Sequence, residues 1–155
     1  MHSLGLQRRI VVVLKPAWGS KVKKQQVEDR LRATGVKPTS QRLEIGQLLL
    51  AEPQHMSADQ ILGLLKKKGS KVSKATVYNT LKLFTEHQLI REVSVDPTRQ
   101  YYDSTTHAHH HFYNVDSGEL TDIDSDDLQF SELPQLPDGT EAEQVEVIVR
   151  VRNKR

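Results

Sequence analysis

The sequence predicts an α+β chain: an N-terminal winged-helix unit over residues 21–103, then a small α/β unit over residues 104–155. Three observations predict it. Apolar residues recur at helical spacing over residues 22–88; two strand-like runs around a turn follow at 89–103; and beyond that the pattern alternates while the charge reverses sign. Residues 1–102 carry 18 Lys and Arg against 8 Asp and Glu, whereas residues 103–155 carry 4 against 12. Such asymmetry suits a basic nucleic-acid-binding half joined to an acidic half, although basic surfaces alone often bind nothing.

In order along the chain, residues 1–20 are expected to be a flexible extension. Its apolar run at 10–14 is too short to span a bilayer, and Lys15-Pro16 ends it, so the protein reads as cytoplasmic with no membrane partner. Helix signals follow. Residues 23–33 place Val27 and Leu31 four apart, with Gly35 as a stop; Thr39 caps a helix over 40–51 that Pro53 closes. Ser57 with Gln60 three residues on forms a capping box for a third helix, buried through Ile61, Leu62, Leu64 and Leu65, with Lys66-Lys67-Lys68 and Gly69 at its end. Ser73 caps a fourth helix running to about residue 87. The period then changes to strands at 89–95 and 99–103 around the turn Asp96-Pro97-Thr98. A second hairpin covers 112–115 and 120–123, a short helical turn capped by Ser125 covers 125–130, and Pro134 and Pro137 mark a linker. Residues 145–151 alternate as a final strand.

The chain has no cysteine. That removes disulfides, thiolate zinc sites and cysteine nucleophiles together. Two small units with few aromatics bury little surface each, so association into a homodimer through residues 104–155 is expected.

The fourth helix presents two faces. Val77, Leu81 and Phe84 share one; Ala75, Tyr78, Asn79 and Lys82 lie opposite. A small residue permits close approach to a double helix, Asn pairs with adenine and Lys neutralises phosphate. Ser73, Lys74 and Thr76 sit where free backbone amides also suit phosphate. An ordinary amphipathic surface helix would look similar, but the strand hairpin behind it, with Arg91 and Arg99, favours DNA.

Four of the seven histidines fall within His107-Ala108-His109-His110-His111. On a strand, His109 and His111 share a face and His110 takes the other, so the first two form a bidentate clamp for a divalent metal. A solvated polyhistidine tract is the plain alternative.

These motifs resemble the ferric uptake regulator (Fur) superfamily. Ser-x-Ala-Thr-Val-Tyr followed by a Leu and an aromatic is similar to its recognition helix, and Gly35-Val36-Lys37-Pro38-Thr39-x-x-Arg42 to its earlier helix-opening motif. The resemblance implies an N-terminal winged-helix DNA-binding domain plus a small C-terminal α/β dimerisation domain. It implies that operator DNA is contacted by Arg42, Ser73, Lys74, Ala75, Thr76, Tyr78, Asn79, Lys82 and Arg99. It also implies a regulatory site of His55, Asp103, His109, His111 and Asp122, holding Fe2+, Mn2+ or Zn2+. Where many relatives begin a structural zinc site with a Cys pair, this chain has Asn114 and Ser117.

The run Tyr102-Asp103 to His109-His110-His111-Phe112-Tyr113, and the Val-rich ending with Arg150-Val151-Arg152, resemble the iron response regulator (Irr) branch. That implies a repressor of iron and haem metabolism genes, with haem as an additional ligand at His109, His110 and His111. Manganese, zinc and peroxide sensors remain alternatives within the superfamily. From other classes, two His and a carboxylate resemble a non-haem iron enzyme, and a metal-buffering protein would also carry the histidines.

Overall fold

The structure, a computed structural model, describes residues 20–155. The extension expected at residues 1–20 lies outside the described residues apart from Ser20, where α1 (Ser20–Ala33) begins. α2 (Ser40–Leu49), α3 (Ala58–Lys67) and α4 (Lys74–Glu86) follow. Each of these three is capped as its sequence demands. Thr39 Oγ1 accepts from Arg42 N, Ser73 Oγ from Thr76 N, and the capping box closes with Gln60 N to Ser57 Oγ at 3.1 Å and Ser57 N to Gln60 Oε1 at 2.9 Å.

The helices pack around Val27, Leu31, Ile45, Leu49, Ile61, Leu65, Val77, Leu81 and Phe84, all almost without exposed surface. α1 and α2 meet at Gly46. A Cβ there would lie 2.7 Å from Val27 Cγ1, so the absence of a side chain sets their closest approach.

α4 ends with Gln88 in the left-handed region (φ 58°), and Leu89 N–H turns back to Phe84 O at 2.9 Å. That closure explains a shift from expectation. Leu89 and Ile90 belong to the helical core, and β2 (Arg91–Asp96) starts only after them. β3 (Arg99–Asp103) returns antiparallel to β2, and the two-residue β1 (His55–Met56), which no periodicity announces, completes the sheet in the order β1-β3-β2.

The second sheet has the order β5-β4-β6, from β4 (His110–Asn114), β5 (Leu120–Ile123) and β6 (Ile148–Val151). β4 runs antiparallel to β5 and parallel to β6. The strand expected from 112 begins two residues earlier, within the histidine run. The helical turn is shorter than expected: one 3-10 turn at Ser125–Asp127, preceded by Asp124 instead of being capped by Ser125, with Leu128 already extended.

The two sheets share a small apolar cluster of Val93, Val95, Tyr101, Tyr113 and Leu120, with Val115 and Ile148 against it. Polar contacts surround it. Tyr101 OH donates to Gly118 O (2.7 Å), Arg99 Nη1 to Tyr113 OH (2.8 Å) and Arg150 Nη1 to Val95 O (2.7 Å). Among the described residues, no helix is long and apolar enough to cross a membrane.

Filling the α1–α2 contact tests this packing. Gly46→Val is expected to cost about 1–3 kcal/mol through overpacking against Val27. Urea unfolding followed by circular dichroism reads it as a lower midpoint at unchanged slope.

Candidate metal centre

Strand register builds the site. On the first sheet His55 stands directly opposite Asp103; on the second, His111 stands directly opposite Asp122. His109, two residues before His111, shares its face. The two cross-strand pairs meet where the sheets abut, and one ligand atom from each of the five side chains falls within 4.8 Å of every other.

Asp103 Oδ2 lies at the middle, 2.7 Å from His109 Nε2, 3.0 Å from His111 Nε2 and 3.2 Å from His55 Nε2. Asp122 Oδ1 closes the cluster at 2.7 Å from His55 Nε2, 3.3 Å from His109 Nε2 and 3.5 Å from His111 Nε2. Asp103 and His111 have no exposed surface, and His109 has 3 %.

This donor set fits a divalent cation. At metal–ligand distances of about 2.1 Å, neighbouring donors sit about 3 Å apart and opposite donors about 4.2 Å apart. The separations here match the neighbouring case. His55 Nε2 is buried and makes no hydrogen bond of good geometry, although two carboxylates crowd it. A cation at the centre would take that lone pair and balance both carboxylates. Three imidazoles and two carboxylates with no thiolate suit Mn2+ or Fe2+, and Zn2+ with more strain, since it favours four ligands.

The electrostatics of the metal-free cluster follow from the same distances. Burial alone would lower the His55 pKa. The close approach and charge of Asp103, and then those of Asp122, outweigh it, so the net shift is upward. Burial pushes the Asp103 carboxyl up, but the hydrogen bond from His111, the close approach and charge of His55 and the Thr105 amide hold it far below the usual carboxylate range.

His110 points away from the cluster. Its Nδ1 accepts from Val147 N–H at 3.0 Å and its ring meets Phe130 edge-on. The expected haem set of His109, His110 and His111 is therefore split: two rings face inward among carboxylates, and the third is used to pair the edge of β4.

Of the residues expected at DNA, Ser73, Lys74, Ala75, Tyr78, Asn79 and Lys82 are exposed along one face of α4, and Thr76 is half-buried beside its cap. The N-terminus of α2 flanks that face across a groove of about 280 Å3 that includes Arg42, Thr76 and Asn79. Arg42 is held there by its bond to Lys37 O at 2.8 Å. Arg99 is placed differently, with its guanidinium turned to Tyr113 of the second sheet. Glu146, which the sequence offered only as an alternating strand residue, stands 3.2 Å from His111 Nδ1.

Residues 33–149 match the ferric uptake regulator family. The peroxide-responsive repressor PerR of Staphylococcus epidermidis is 32% identical over 93 residues, covering 60% of this chain and 62% of that protein. PerR of Staphylococcus saprophyticus is 33% identical over 101 residues, covering 63% and 68%. The match therefore spans less than two thirds of the first relative's length. Among solved structures, the ferric uptake regulator of Pseudomonas aeruginosa with manganese superimposes with a TM-score of 0.59 at 26% identity, over 83% of this chain and 98% of that one.

The cluster makes stability depend on pH and metal together. The raised His55 pKa contributes stability below about 6.5, the ordinary imidazole value, lost as pH rises through the higher folded value. The depressed Asp103 pKa contributes above about 3.9, lost as pH falls towards its folded value. The metal-free protein is expected to be most stable between about pH 4 and 6.5. Because ligation needs neutral imidazole, added Mn2+ is expected to raise Tm more at pH 8 than at pH 5. Thermal melts with and without Mn2+ check this; an equal rise at both pH values would show that protons do not compete for the site.

Proposed function

This chain belongs to the ferric uptake regulator family, and on that premise we propose that it is a divalent-metal-responsive transcriptional repressor that binds operator DNA as a homodimer. One observation carries the reading: five metal-ligand side chains, drawn from both sheets, converge on one point. His55 and Asp103 belong to the sheet behind α4; His111 and Asp122 belong to the other, and His109 leads directly into its strand β4.

A bound divalent cation supplies the positive charge that balances Asp103 and Asp122. His55 and Asp103 then hold the wing of β2 and β3 against β4 and β5, in the arrangement where all five donors meet. That arrangement fixes where the exposed face of α4 stands relative to the C-terminal sheet, and in a dimer it fixes the spacing of two such faces. Ligand dependence follows from differential affinity for the arrangement that fits two successive major grooves. Asn79 and Tyr78 reach base edges, and Ser73, Lys74, Lys82 and Arg42 position the helix on phosphate. Arg99 serves the contact between sheets.

Mn2+ and Fe2+ are the favoured ions, and iron and haem metabolism genes are the targets that the Irr-like motifs imply. Haem is not assigned to this cluster, because its rings are enclosed and His110 is engaged elsewhere. A second reading, peroxide response, is favoured by the identity to the staphylococcal repressors.

A gel-shift titration on AT-rich operator DNA tests the proposal. Mn2+ is expected to change DNA affinity by about 5- to 150-fold, the usual range of such coupling. His109→Ala and Asp122→Ala are expected to abolish that change while remaining folded. Asn79→Ala is expected to cost about 1–3 kcal/mol on cognate DNA and much less on random sequence. DNA affinity indifferent to every metal would sink the reading. Peroxide added to Fe2+-loaded and Mn2+-loaded protein separates the second reading, which requires release of DNA in the Fe2+ sample alone.

A further inference from the structure

An imidazole that turns Nε2 to a metal must find an acceptor for its Nδ1–H, and that acceptor fixes both tautomer and ring plane. His109 has a backbone acceptor, with His107 O 2.6 Å from its Nδ1. His111, which is fully buried, has a side chain instead: Glu146 Oε1 lies 3.2 Å from its Nδ1.

Backbone pairing puts Glu146 there. β6 runs parallel to β4 with Ile148 opposite His111, and His111 N–H donates to Val147 O at 3.0 Å. Glu146, two residues before Ile148, therefore lies on the same side of the sheet as His111. A second group faces the same carboxylate oxygen: Arg91 Nη2, at the start of β2, is 2.9 Å from Glu146 Oε1. Arg91 Nη2 and His111 Nδ1 are also two of the buried polar atoms that make no hydrogen bond of good geometry among the described residues. Arg91 is a donor in every state, and His111 Nδ1 becomes one once Nε2 is given to a metal, so Glu146 is the acceptor they would share.

We propose that Glu146 is a positioning residue of the metal centre, accepting the Nδ1–H of His111, and that Arg91 holds Glu146 in place. The inference rests on the metal-responsive reading and deepens it. Arg91 comes from the wing, Glu146 from the last strand and His111 from the site, so one chain of charge-assisted contacts joins all three. Ligation at Nε2 makes the Nδ1–H a stronger donor, so occupancy of the site tightens the contact that Arg91 steadies.

The test uses the full chain, Mn2+ titration for affinity, and the visible absorption spectrum of the Co2+ form as a signature of ligand geometry. Glu146→Ala is expected to weaken Mn2+ binding about 10- to 100-fold and alter the Co2+ bands, beyond any fall in metal-free Tm that follows from leaving Arg91 without its carboxylate. Glu146→Gln, which keeps an acceptor, is expected to recover most of both. Arg91→Gln is expected to lose several-fold, with no further loss when combined with Glu146→Ala. Wild-type affinity and spectrum in Glu146→Ala overturn the proposal, as do a glutamine variant as defective as alanine and additive losses in the double variant. The His111 Nδ1 proton of Zn2+-loaded wild type gives a readout independent of any variant. Slow exchange with water is expected, and exchange as fast as an exposed imidazole overturns the assignment. Wild-type protein that binds Mn2+ without any DNA response would sink the repressor reading and leave this one standing; wild-type protein that binds neither Mn2+ nor Co2+ sinks both.

Discussion

A carboxylate without exposed surface must be neutralised where it stands, and Asp103 is such a carboxylate. Three imidazoles surround it, His55 from β1, His111 from β4 and His109 from the residue before that strand, so two separate strands are brought to the same point. The join between the sheets therefore answers an electrostatic demand of the fold, whatever else it does. A divalent ion at the centre would balance the charge of Asp103. A cluster held by hydrogen bonds permits several patterns, whereas a cation demands one geometry.

The charge pattern of the whole chain follows the same division. The exposed face of α4 is fed by a basic half, and the site lies at the border where the acidic half begins. A phosphate backbone attracted to the first would be repelled by the second, so in the proposed function DNA would keep to the α4 side of the molecule. Arg99 and Arg150 are used at that border, bonded to Tyr113 and to Val95 O.

Legibility from sequence was uneven for physical reasons. The bounds of β3 and β5, both caps and the capping box could be read because they depend on local chemistry, whereas the full set His55, Asp103, His109, His111 and Asp122 spans almost seventy positions and came only from the resemblance to a family. β1 could not, since two residues have no period. Its existence depends on β3 offering a free edge to His55 and Met56. Leu89 and Ile90 looked like strand residues because they are β-branched or bulky, but the turn at Gln88 directs them into the helical core. Arg99 is an exposed cation on the wing, as expected, but it also reaches the other sheet. Its partner Tyr113 lies fourteen residues away on the other sheet, and nothing local announces that contact. The alternation that placed His109 and His111 on one face did correctly set His110 on the other, but only tertiary pairing shows what His110 does there.

The sheets are held together by more than the ligand cluster, and this limits what a metal can do. Val93, Val95, Tyr101, Tyr113 and Leu120 form an apolar contact between them, and three side-chain-mediated hydrogen bonds surround it. A cation therefore does not assemble the two halves from separated parts. It selects among arrangements that this contact already allows, and its influence is bounded by how much better one of them places five donors than the others do. A cluster spread across a pre-formed contact is suited to that task. A shift of a few tenths of an ångström between the sheets breaks the ligand geometry while leaving the apolar cluster buried. Under the proposed function, small displacements would thus carry a large difference in metal affinity at little cost in stability, and by reciprocity the arrangement of α4 that DNA prefers would carry the same difference back to the metal.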